Sequence, residues 1–457
     1  MTATVTEAPA AEPPALPAVA RPVPLSSTYR FELVKQFSPW RVRVLILLCI
    51  LGPGILIFGI NQQSTLPSDT LFGREMHATG WAGSLVTLGF AGTWALPFFA
   101  SAVAGDVFAS EDRTGTWRHL LVAVRSHRRI FAAKALASLT VLLLLVTELF
   151  ASSVIGGLVA VGNKPLIGLD GHTLAPGDAA STVLLGWICA LAPTLALAGI
   201  GLLGSVAFGR SPMGLLLPMI VAFGMQLAQM LPLPVPVRLA LPGFAYISWN
   251  SLFAEPQQIE PLLIGVVVSL VWAIAATALA YVVFLRRDFT NLTNDGSGRR
   301  ALTLGVLPML GVFAVSIGVI AGTTGATGSG IDAAKLQSSV ATAFGHLYVL
   351  QENELHRPAI TEAQLATSAS CVKSEGLTAQ EGSGNDWRCT VSWHVPGVSL
   401  TGQAVYQLDV NPNGRFIADG DGPQEVNGFF LVHTGAGDVP NPLWQFDGDV
   451  DLLPINH

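Results

Sequence analysis

The chain has 457 residues, of which 51% are hydrophobic and only 12% charged, with a net charge of −6. Soluble domains usually carry roughly a quarter charged residues, so a mean hydropathy of +0.54 over this length requires long apolar runs rather than scattered core positions. Residues 331–457 hold 15 acidic and 5 basic side chains, whereas residues 1–330 hold 15 and 19. The soluble part is therefore acidic. A nucleic-acid partner would need a basic patch there, and that role is set aside.

Residues 1–25 are rich in Ala and Pro and have no apolar stretch behind a basic start. They predict a disordered cytoplasmic tail, not a cleaved leader. The first apolar run is then a signal anchor. Residues 26–42 predict an interfacial helix. Phe31, Val34 and Phe37 recur at every third position, and Glu32, Lys35 and Gln36 fill other faces. Pro39 ends it and turns the chain into the membrane.

A helix needs about 20 apolar residues to cross the hydrocarbon core. Seven segments qualify: Val44–Ile60, Trp81–Gly105, Ala135–Gly162, Ser181–Gly209, Met213–Leu231, Leu262–Leu285 and Ala301–Gly322. Lys and Arg collect on cytoplasmic loops. With the N-terminus inside, inner segments hold 16 basic residues and outer loops only Arg74, Lys164 and Arg238. This predicts a multi-pass protein of the bacterial inner membrane, with its C-terminal domain outside.

The inner loop from Asp106 to Lys134 is the most charged stretch near the bilayer. Within it, Thr116–Val124 predicts a short helix with Leu120 and Leu121 on one side, and Gly115 supplies the turn before it. The loop at 232–261 holds six prolines among apolar residues. It predicts a re-entrant or surface-lying hairpin. Residues 323–330 read as a flexible Gly/Thr linker. The domain at 331–457 predicts a helix over Ala333–Leu355 and strands at Ala369–Lys373, Arg388–His394, Gln403–Val410 and Arg415–Ala418. Asn411 to Gly414 forms a hairpin turn. Cys371 and Cys389 are its only cysteines, and an oxidising compartment favours a disulfide between them. Cys49 and Cys189 read as apolar fillers within spans. The fold class expected is an all-α polytopic membrane bundle with a small α+β extracytoplasmic domain.

Catalytic signatures are missing from the sequence. The nearest approach to a phosphate-binding loop runs from Gly157 through Gly162, with Asn163 in place of its Lys and Lys164 in place of its hydroxyl residue. No cofactor, metal or enzymatic activity is expected of this chain. Glu148 falls near the middle of the third span, where a carboxylate costs about 3 kcal/mol or more. It is read either as a substrate or proton contact or as a protonated packing group. Gln226 and Gln229 share a helix face. They either line a polar path or bridge helices.

The segment Ser110-Glu111-Asp112-Arg113-Thr114-Gly115-Thr116-Trp117-Arg118-His119-Leu120-Leu121, followed by Arg128-Arg129 and Lys134, resembles the cytoplasmic loop of ABC-2 type transporter permeases. That family has an acidic residue, then Gly-Thr, Leu-Leu, a Pro and basic residues. Here Val124 stands at the Pro. The Phe31–Lys35 segment, with Glu32 and Lys35, resembles the family's entry helix. The resemblance covers residues 26–287 and implies a six-span core over 43–287. The stretch 288–322, an inner loop and seventh span, and the domain at 331–457 are additions to that plan.

The resemblance implies an exporter subunit without its own motor. A dimer of cytoplasmic ATPases would supply ATP-Mg hydrolysis, and a second permease copy or a related permease would complete the path. Glu111, Asp112, Gly115, Thr116, Arg118, Leu120 and Leu121 would form the helix that couples to the ATPase. Glu148, Gln226 and Gln229 would lie on the path. A different reading is a membrane-anchored receptor or regulator that senses ligand through its outer domain. A third is a secondary transporter with Glu148 as proton carrier, for which inverted repeats would be expected.

Overall fold

Among the described residues, seven helices are long and apolar enough to cross a membrane: Trp40–Asn61, Gly80–Ala104, His127–Ala160, Pro176–Phe208, Met213–Met230, Ile259–Leu285 and Leu302–Thr324. They match the seven expected spans in number and order. The computed structural model describes residues 23–63, 70–209, 212–287, 289, 299, 302–422, 431–434 and 437–453. Most of the expected tail at 1–25 and most of the loop at 288–301 lie outside the described residues.

The boundaries differ where helices outrun the hydrocarbon. The third span has 34 residues, about 50 Å at the usual rise. It starts at His127 rather than Ala135, because Ser126 caps it by accepting the Arg129 amide. Its first turns therefore stand beyond the membrane and carry Lys134. The first span starts at Trp40, directly after Pro39. The second span contains a π-helical turn at Ala91–Ala95. Only 17% of the first span's most apolar window and 22% of the seventh's are buried, against 61% for the second and fourth. The outer two spans are thus peripheral.

The proline-rich loop does not lie on the surface; it folds back among the spans, as the re-entrant alternative expects, but as short helices rather than a hairpin. It folds into three short helices, Val235–Leu239, Pro242–Tyr246 and Ser248–Phe253. Leu239, Phe244, Trp249 and Phe253 are buried. Tyr246 shares a 3.0 Å hydrogen bond with Thr194 of the fourth span, and Trp249 Nε1 donates to the Tyr246 carbonyl at 2.9 Å. Aromatic bulk drives this burial.

A small hairpin, β1 (Leu166–Ile167) and β2 (Thr173–Leu174), follows the third span. The C-terminal domain has a helix, Ala333–Glu354, packed on an antiparallel sheet. The sheet order is β3 (Ser368–Lys373), β4 (Gly384–His394), β5 (Thr401–Val410), β6 (Arg415–Gly422) and β9 (Gln445–Asp449). A separate hairpin pairs β7 (Leu431–Thr434) with β8 (Gly437–Pro440). The core between helix and sheet centres on Phe344, whose ring lies 4.7 Å from that of Trp393.

Cys371 and Cys389 are bonded across β3 and β4, opposite each other in register and both buried. The bond closes a sequence separation of 18 residues, which gives about 3 kcal/mol by loop entropy. Replacing both with Ser is expected to lower the domain's unfolding free energy by roughly 2–4 kcal/mol. Denaturant titration followed by tryptophan fluorescence checks this. An unchanged transition would mean the bond merely decorates a stable sheet.

The domain sits on loops of the bundle. Arg74 Nη2 meets Asp447 Oδ2 at 3.0 Å, and Gln258 Nε2 donates to the Asp449 carbonyl at 3.2 Å. Between these, the β1–β2 turn presents Asp170, which meets His172 Nδ1 at 2.5 Å and accepts the Glu255 amide at 2.7 Å. His346 of the domain helix lies 3.5 Å from Asp170 Oδ2 and 3.2 Å from Glu362. Burial alone would raise the Asp170 pKa, but hydrogen bonds from His172 and His346 hold it well below the carboxylate range. Asp170 likewise outweighs the desolvation of His346 and raises its pKa. Gly171 takes a φ of +88°, and a Cβ there would fall 2.5 Å from Leu347. No larger residue could make this turn against the domain helix. The loops after the first, third and fifth spans therefore share one face with the domain, here called the domain face.

Candidate functional site

On the opposite face, the loop between the second and third spans forms two short helices, Ala109–Thr114 and Trp117–Val124. Gly115 joins them at a φ of +68°, with open space where a Cβ would stand. The turn thus needs glycine for its backbone angle rather than for room. Ser205 of the fourth span accepts the amides of Phe108 and Ala109 at 3.0 and 2.9 Å, which caps the first of these helices.

Ionic ties then bind the loop to three other elements. The entry helix runs over Leu25–Phe37 and packs along the third span. Gln36 donates to Ser138 at 2.9 Å, and Tyr29 shares a 2.8 Å bond with Thr140. Lys134 is buried between two carboxylates, 2.9 Å from Glu32 and 2.7 Å from Glu111. Lys35 also donates to Glu111, and Thr116 donates to its other oxygen. Burial pushes the Glu111 pKa up, but the Lys134 charge and these hydrogen bonds prevail and hold it at about 2. Asp112 accepts Arg287 Nη2 and Trp117 Nε1, each at 2.7 Å. Arg287 follows the sixth span. Both ionic side chains are fully buried. Trp117 lies between the two clusters, 6.0 Å from both Lys134 Nζ and the Arg287 guanidinium.

The loop residues expected to couple divide by exposure. Glu111, Asp112 and Leu120 face inward and are buried. They position the loop and cannot be its contact surface. Thr116 is half-buried on Glu111. Arg118, His119, Val122, Ala123 and Arg125 are exposed, and Leu121 is half-buried beside them. Val122 is 66% exposed. The second loop helix thus presents an apolar strip edged by basic residues.

The expected path residues are not brought together. Glu148 is half-buried on the third span, which packs along the first. One turn on, Ser152 donates to the Ile50 carbonyl at 2.5 Å. Glu148 therefore belongs to the seam between the first and third spans. Gln226 donates to the Thr93 carbonyl at 2.8 Å, within the π-helical turn of the second span. Such a turn leaves a carbonyl free for an outside donor. Gln229 donates to the Arg238 carbonyl at 3.1 Å. Both amides bridge elements, the alternative their spacing left open.

Comparison with known proteins finds no family model that matches the chain, and no curated protein or solved structure with significant similarity to it.

Proposed function

We propose that this chain is the membrane-spanning subunit of an ATP-driven exporter of the ABC-2 permease kind, driven by a separate ATPase dimer. The carrying observation is the pair of loop helices tied by buried ion pairs to the entry helix, the third span and the end of the sixth span. A loop held in this way cannot tilt alone. A push on it moves three elements together, which is what coupling a motor to a membrane path requires. The exposed strip at Arg118, His119 and Val122 is the dock, and the loop face is cytoplasmic. The path forms between two permease copies, or this one and a related permease, in the cell membrane.

Purification of the tagged chain from gently solubilised host membranes tests this. A stoichiometric soluble subunit that hydrolyses ATP-Mg supports the reading. Absence of any ATPase across several detergents overturns it. The seating of the outer domain on three bundle loops favours the receptor as second reading, which the same result would promote.

A further inference from the structure

A cavity of about 370 Å³ lies between the bundle and the outer domain. That volume lies within the range of small-molecule sites. Its apolar wall comes from Phe72, Leu169, Leu347, Leu350 and Phe446. Its charged lining is Arg74, Glu75, His77, Glu354 and Asp447. The charges do not cancel. Arg74 is committed to Asp447 and to the Gln445 carbonyl, and Asp447 takes a second cation from Arg415 at 2.7 Å. Neither Glu75 nor Glu354 has a cationic partner within salt-bridge distance among the described residues. Glu354 Oε2 is buried without a hydrogen bond.

We infer that this cavity binds an amphipathic organic cation, whose charge meets Glu75 and Glu354 and whose apolar body lies against Phe72, Leu347 and Phe446. A buried carboxylate oxygen without a partner is costly, and a ligand cation would relieve it. An anion would meet two carboxylates and an arginine already engaged. A neutral apolar ligand would leave Glu354 unpartnered. A metal ion fits poorly, because among the described residues no cluster of ligating side chains can hold one. The protonation state agrees with the geometry. Burial raises both carboxyl groups to about 7, and Glu75 is also lowered by Arg74 and raised by its neighbour Glu354. Binding a cation must then expel protons. This inference concerns binding at the domain face and holds whether or not an ATPase drives the bundle.

The test uses the full chain in lipid nanodiscs with tetraphenylphosphonium as probe, measured by equilibrium dialysis and calorimetry. Empty nanodiscs correct for partition into lipid. Saturable binding is expected to tighten about tenfold between about pH 6 and about pH 8, as the carboxyl groups ionise. Proton release should accompany it. Glu354→Gln should weaken binding about tenfold at the higher pH, and Glu75→Gln should weaken it and flatten the pH dependence. Unchanged thermal unfolding in both variants shows that the domain remains folded. Tetraphenylborate, with the same shape and opposite charge, should not compete. Saturable binding that Glu354→Gln leaves as tight as in the native chain, or no binding above the empty-disc background, would overturn the site. In either case the two carboxyl groups would be a protonated packing pair.

Discussion

Lys134→Met should unfold at markedly lower temperature than the native chain, with a loss of roughly 3–5 kcal/mol. The variant keeps much of the side-chain volume but leaves Glu32 and Glu111 buried without their shared cation. Removing one partner of a buried ion cluster costs more than the cluster itself contributes. The triple variant that combines Glu32→Gln, Glu111→Gln and Lys134→Met should therefore recover most of the loss, since the one charge left without its partner, Lys35, is 41% exposed and stays solvated. Thermal unfolding in detergent compares the three proteins. The pH dependence has a definite sign. Glu111 titrates at about 2 when folded against an ordinary value of 4.5. Its contribution is complete above the ordinary value and is lost as pH falls through the folded one. Equal stability of native and Lys134→Met proteins at neutral pH would refute the idea that this cluster holds the loop.

A paired change on the exposed strip, Arg118→Glu with Val122→Glu, should have the opposite profile. Unfolding should be unchanged, because both side chains face solvent and surface changes usually stay within about 0.5 kcal/mol. Association with the proposed ATPase should fall by at least about tenfold, as for a central apolar contact with a charged rim. Transport should be lost with it. Co-purification at wild-type stoichiometry would place the dock elsewhere on the loop face. Lys134→Met, by contrast, should lose stability and association together. The two profiles separate a residue that holds the lever from one that touches the motor.

The membrane spans are legible in the sequence because their signal is local. Twenty or so apolar residues in a row need no partner to be recognised. Only the ends differ, where Arg128, Arg129 and Lys134 ride on helix that extends beyond the apolar run. The domain strands up to β6 also read from alternation and turn residues. Strands β7 to β9 are short and interrupted by Pro and Gly, so their pattern is too weak to assign. The loop's ionic ties are not legible. A charged residue in a loop reads as solvated, and the partners here are 76, 102 and 175 residues apart in the chain. The pattern of the loop therefore marks Glu111 and Asp112 as important but does not show that both are buried on distant partners. Glu148 stands out by its depth, yet depth does not tell a seam from a path. Glu75 and Glu354 carry no signal, because their cavity exists only once the domain is seated.

The Gly/Thr composition of residues 323–330 predicts a flexible tether for the outer domain. Instead the Gly328 carbonyl accepts the Val235 amide at 2.9 Å, and the Ser329 carbonyl accepts Arg238 Nη2 at 2.8 Å. Arg238 is itself buried in the folded loop between the fifth and sixth spans. A slack tether presents its domain to its seat at a finite effective concentration that falls with tether length. Here the tether is stitched down next to the seat, so little slack remains to dilute the encounter. Any shift of the loop between the fifth and sixth spans therefore moves the start of the domain directly. Inserting even a short stretch of Gly and Ser after Gly330 would therefore weaken domain seating, both by adding slack and by parting Gly330 from Lys335, which donates to its carbonyl at 3.1 Å.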